Sequence, residues 1–164
     1  KENYCVRHGG ECTIKTYPEL PSVPKGFIKR GKEKDLFVYS YECKTAEHTV
    51  TIEKNIYGEG VCYKVNVSYG EKTDDAIMDL SFEGDRICVY TDGNLTFDDY
   101  YKNGVTSFAL KTRNYPESFC VKITPLCEND EIYLEKPPKF VNGKAAVLSG
   151  AKIRNVVKTD LIFG

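Results

Sequence analysis

The chain has 164 residues, and its 23 Lys and Arg against 24 Asp and Glu leave a formal charge of −1. That balance excludes the general electrostatic attraction by which basic proteins hold nucleic acid or an anionic membrane. The length fits one domain, able to bury about 70% of its extended-chain surface, and no apolar run reaches the roughly 18 residues a membrane-spanning helix needs.

In chain order, residues 1–34 read as a loop-rich arm of the same domain that residues 35–164 complete. The opening, Lys1-Glu2-Asn3-Tyr4-Cys5, lacks the apolar core of a signal peptide, which is the expectation for a mature chain. Cys5 and Cys12 bracket His8 and Gly9-Gly10, and two glycines can reverse the backbone, so a local loop closed by a bridge is expected there. Pro18, Pro21 and Pro24 recur every third residue, the spacing of a polyproline II stretch, here a rigid surface arm. Lys25, Lys29, Arg30, Lys32 and Lys34 then crowd one loop, a docking patch for an acidic or sulfated ligand or a solvated approach to the first long strand.

From residue 35 the apolar period becomes two. Phe37, Tyr39, Tyr41 and Cys43 share one face; so do Val50, Ile52 and Ile56, and then Val61, Tyr63, Val65 and Val67, with Cys62, Lys64 and Asn66 opposite. "AIMDLSF", "RICVYT", "VTSFALKT", "SFCVKIT", "EIYLE", "AAVL" and "KIRNVV" continue the series. Between them stand turn signals, among them Glu83-Gly84-Asp85, Asp92-Gly93, Asn103-Gly104 and Asn142-Gly143. The best helix candidate is "EKTDDAIMDL" at 71–80. About nine or ten short strands at such spacing predict an all-β, antiparallel β-sandwich or barrel.

Seven cysteines, Cys5, Cys12, Cys43, Cys62, Cys88, Cys120 and Cys127, are many for a chain of this size and predict disulfides in an oxidising compartment. An odd total leaves one thiol unpaired within the chain, free or joined to a partner or a second copy. Cys120 and Cys127 stand at the ends of a strand-like stretch spanning roughly 23 Å when extended, too far to bridge each other unless Pro125 folds it back. Asn66-Val67-Ser68 and Asn94-Leu95-Thr96 are N-glycosylation sequons, which agree with a secreted protein. Zinc is not indicated, because no Cys-x2-Cys pair and no paired-histidine spacing occurs.

No cofactor motif is present, and "DGNLTFDD" lacks the glycine and the glutamate an EF-hand loop requires. His8, His48 and a lysine supply the residue types of a secreted ribonuclease but in no diagnostic pattern. Twelve tyrosines and no tryptophan suit a recognition surface, and Tyr100-Tyr101 beside the Asn103-Gly104 turn are the expected exposed anchors, with Lys29, Arg30 and Lys32 as the basic patch. The function expected is a secreted, glycosylated module that binds an extracellular protein and is not an enzyme. A lipocalin-like barrel carrying a small apolar ligand is the alternative, although the Gly-x-Trp mark of that family is absent.

Overall fold

A computed structural model describes residues 1–42, 47–57, 60–70 and 75–164; Cys43, the Gly58-Glu59 turn and residues 71–74 of the expected helix lie outside them. The strands are β1 (Glu2–His8), β2 (Thr13–Thr16), β3 (Phe27–Glu33), β4 (Leu36–Tyr41), β5 (Thr49–Tyr57), β6 (Gly60–Ser68), β7 (Asp75–Glu83), β8 (Arg86–Thr91), β9 (Asn94–Tyr100), β10 (Val105–Ala109), β11 (Ser118–Thr124), β12 (Leu126–Cys127), β13 (Lys144–Ala145) and β14 (Val147–Phe163). A single 3-10 turn at Lys111–Arg113 is the helical element among the described residues, and every registered strand pair is antiparallel. The fold class is therefore all-β, as the period-two pattern predicts.

The chain divides into two compact units. The first holds β1 to β4, the start of β7 and the C-terminal part of β14. In it β1 pairs with β14 from Glu2↔Phe163 to His8↔Val157, and β2-β4-β3 form a small sheet. Its core is Leu20, Phe27, Tyr39 and Leu161, bordered by Ile14, Phe37 and Tyr41.

Three expectations change here. The Cys5–Cys12 segment is no closed loop: Val6, His8 and their neighbours extend as β1, because β14 offers a full ladder of partners, and no disulfide joins the two cysteines in this structure. The proline stretch is a surface arm only in part: Pro18 and Pro21 are exposed, but Leu20 and Pro24 are buried and the Leu20 amide donates to the Tyr39 hydroxyl at 3.2 Å. Burying those apolar groups stabilises more than leaving the segment in water. Finally, Lys29, Arg30 and Lys32 of the basic segment lie on strand β3, bulged between Lys29 and Gly31, while Lys25 and Lys34 lie in the turns that flank it.

The second unit holds β5, β6, most of β7, β8 to β13 and the N-terminal part of β14. Its five-stranded sheet runs β5-β6-β11-β8-β9. In β11 burial alternates without exception, so Phe119, Val121 and Ile123 face inward and Cys120 and Lys122 outward. Val65, Val89, Phe119 and Val121 from this sheet meet Met78, Leu80 and Phe108 from β7 and β10, and the space among them has no room for a water molecule. The helix expected at 71–80 gives way from Asp75 onward to β7, whose Met78 and Leu80 enter that core, with Ala76 and Phe82 buried on the same parity. Asp79, buried on the opposite parity, accepts from Ser107 Oγ at 2.7 Å, which offsets part of the cost of burying a carboxylate.

"EIYLE" at 131–135 forms no strand. It belongs to the loop 128–143 closed by the β12–β13 pair, where Asp130 supplies local bonds: its Oδ2 accepts from the Cys127 amide at 2.7 Å and its carbonyl from the Ile132 amide at 2.8 Å. Such local bonds compete with a strand ladder.

Candidate binding face

The register of the five-stranded sheet lays out its open face residue by residue. One row across β5, β6, β11, β8 and β9 reads Asn55, Cys62, Lys122, Cys88 and Asp98; the next reads Glu53, Lys64, Cys120, Tyr90 and Leu95. Flanking rows bring Thr51, Asn66 and Ser118 to one side, and Thr124, Arg86 and Tyr100 to the other.

The two halves differ in chemistry. Toward β5 and β6 the face is polar, and Asn66 Nδ2 donates to Glu53 Oε1 at 3.2 Å. Toward β8 and β9 it carries Tyr90, Leu95 (49% exposed) and Tyr100 (61% exposed). Arg86 sits 5.8 Å from the Tyr100 ring centroid, and its Nε and Nη2 donate to Asp98 Oδ2 at 3.1 and 2.6 Å. An ion pair this exposed adds little stability. An aromatic, an aliphatic and an arginine on an open sheet are the side-chain types that protein interfaces concentrate.

A bulge between Val89 and Tyr90 brings Leu95 opposite Tyr90. The β8–β9 turn is built as its sequence requires, Asp92 and Gly93 both taking positive φ (50° and 79°). Asn94 follows directly and is exposed, its Nδ2 donating to the Asp92 carbonyl at 3.3 Å. A glycan at Asn94 would leave from the hairpin end, and one at Asn66 from the β6 half.

Of the paired tyrosines, Tyr100 is the exposed one. Tyr101 turns its ring edge-on to Phe82 at 5.9 Å and is partly buried, and burial pushes its phenol up from its ordinary value. Lys29, Arg30 and Lys32 are not on this face; they lie on β3 of the first unit. Lys29 pairs with Glu19 and Arg30 with Glu42, while Lys29 and Lys32 stand 5.2 and 4.4 Å from the Phe37 ring centroid. An acidic or sulfated ligand there competes with two carboxylates already in place.

Each histidine has local partners. His8 Nε2 hydrogen-bonds Thr159 Oγ1 at 2.8 Å, and its ring packs 4.6 Å from Tyr41 and 5.4 Å from Phe27. His48 Nδ1 accepts from the Gly70 amide at 3.2 Å, its ring 5.7 Å from Tyr69. No disulfide joins the described cysteines, Cys5, Cys12, Cys62, Cys88, Cys120 and Cys127, in this structure. Among the described residues no cluster of three His, Cys, Asp or Glu is placed to hold a metal, and no helix is long and apolar enough to cross a membrane.

Sequence reasoning missed Arg86, Tyr90 and Leu95, whose signal was the outward parity of "RICVYT" and "NLTFDDY". It also missed Tyr133, 93% exposed on the 128–143 loop, and a cavity of about 120 Å³ bordered by Leu126, Ile132, Leu134 and Phe140. Comparison with protein-family descriptions, with curated proteins and with solved structures finds no match.

Proposed function

We infer that the chain is a secreted, glycosylated and disulfide-bonded β-sandwich that binds an extracellular protein through the β8–β9 half of its open sheet face. The observation that carries this reading is the grouping of Tyr90, Leu95, Tyr100 and Arg86 on one side of that face. Water-exposed apolar and aromatic side chains cost solubility unless a partner covers them, and the sequon at Asn66 lies on the other half of the face. The packing of Met78, Leu80, Phe108 and Phe119, which leaves no room for a water molecule among them, favours surface recognition over carriage of a small apolar ligand between these two layers.

The test is secretion from a eukaryotic cell line, intact mass before and after denaturation, and binding to a panel of extracellular receptor domains. Expected are glycan increments that vanish in Asn66→Gln and Asn94→Gln. A partner should lose affinity tenfold or more for Tyr100→Ala or Leu95→Ala, about 1.4 kcal/mol or more, and keep it for Tyr133→Ala. A small molecule released only on denaturation, or a partner indifferent to Tyr100 and Leu95, would overturn the reading.

A further inference from the structure

β11 is the middle strand of the five, so its outward residues have neighbours on both sides. Lys122 stands opposite Cys62 on β6 and opposite Cys88 on β8, while Cys120 stands opposite Lys64 and Tyr90. Cys62 and Cys88 are therefore each one diagonal step from Cys120 on the same face. The two diagonals differ in their neighbours: directly beside Cys120, β6 presents Lys64 and β8 presents Tyr90. Cys88 is also buried, while Cys120 is exposed and Cys62 partly so.

We propose that Cys62 and Cys120 form a reducible cross-strand disulfide on the open face, with Cys88 excluded from it. The proposal deepens the extracellular reading, since such a bond persists only where the surroundings oxidise thiols. The oxidant is a disulfide, either oxidised glutathione or an oxidoreductase carrying one. The Cys120 thiolate attacks one sulfur of that disulfide and releases the other as a thiolate. The Cys62 thiolate then attacks the Cys120 sulfur of the mixed disulfide and releases the second. The two protons lost by Cys62 and Cys120 end on the two released thiols, so one disulfide is reduced as one forms. Burial and the adjacent Cys62 hold the Cys120 thiol above its ordinary ionisation range, which slows the first attack at neutral pH and speeds it as pH rises.

Reducibility follows from the register. Diagonal residues on neighbouring strands stand about 7–8 Å apart, at the edge of what a disulfide spans, so β6 and β11 must draw together to close the bond. A bond closed against the sheet opens more readily than one between relaxed partners.

The test uses the full chain, purified reduced and equilibrated in glutathione buffers of increasing oxidised fraction, then alkylated and digested unreduced with trypsin. The three cysteines fall in separate peptides, 55–64, 87–102 and 114–122. Expected is a 55–64/114–122 link that forms as the buffer becomes oxidising, reverts within the glutathione range, survives Cys88→Ser and disappears in Cys62→Ser. Alkylated Cys120 in the most oxidising buffer, or its link to 87–102, overturns the pairing; a 55–64/114–122 link that glutathione cannot open overturns its reducibility. Because this assay supplies its own oxidant, its failure is separate from that of the secreted reading, which the mass of the cell-secreted protein decides.

Discussion

Gly84, in the turn between β7 and β8, is a place where one methyl group should cost a large share of the stability. A Cβ built on it would lie 2.4 Å from Ile123 Cγ2, 2.9 Å from the Thr124 carbonyl oxygen and 3.5 Å from that of Ala145. None of these can yield cheaply. Ile123 is fully buried, and the Thr124 oxygen already accepts the Asp85 amide at 2.9 Å. Overpacking of this kind costs about 1–3 kcal/mol and the unfavourable backbone about 1 more, so Gly84→Ala should lose about 3 kcal/mol. At this chain length that lowers Tm by roughly 6–12 °C. Gly93 is the matched control: its φ is 79° and no atom lies within 4 Å of an added Cβ. Gly93→Ala should therefore lose only about 1 kcal/mol, roughly 2–4 °C. Urea midpoints and thermal melts of the two variants, read beside the parent, measure the difference. Equal losses at the two positions would refute the argument that close packing over β11, rather than backbone conformation alone, dictates glycine at 84.

Two further outcomes depend on pH. Burial, then Tyr115 and Glu117, push the Tyr69 phenol up to about 12, and its hydroxyl donates to the Pro116 carbonyl at 2.8 Å. Because the folded value is raised, the stabilisation is complete below pH 10 and is lost as pH climbs toward about 12. Ultraviolet titration should show Tyr69 among the last tyrosines to ionise, and Tyr69→Phe should remove that late step while losing about 1 kcal/mol at neutral pH. Burial raises the Asp99 carboxyl, but the Thr106 hydroxyl, the Lys102 ammonium and the Tyr100 amide outweigh it and hold the group below its ordinary 3.8. Its contribution is then present above that value and lost as pH falls through the lower folded one. Asp99→Asn should destabilise at neutral pH and flatten the acid limb of the urea midpoint against pH; an unchanged limb would show that the carboxylate is not held this way.

How far the sequence could be read depends on whether the cause is local. Period-two alternation made β6 and β11 legible, because each strand buries one face and the pattern records which. Asp92-Gly93 and Asn142-Gly143 announced their turns, since few other residues accept positive φ at both positions. The helix expected at 71–80 failed where a short apolar run carried both periods, and only the facing Val65, Val89 and Phe119 decided for β7. "EIYLE" failed in the opposite direction: its residues suit a strand, but Asp130 satisfied the nearby amides first.

Composition, alternation and turn chemistry by themselves determined an antiparallel all-β chain, the inward faces of its strands, and the positions of its sequons and cysteines. Which residues stand side by side was decided only by tertiary pairing. Cys62 and Cys120 are 58 positions apart in the sequence, and Tyr90 reaches Leu95 only through a bulge. Register is a property of two strands together, and a single strand's alternation says which face a side chain takes but not what it meets there.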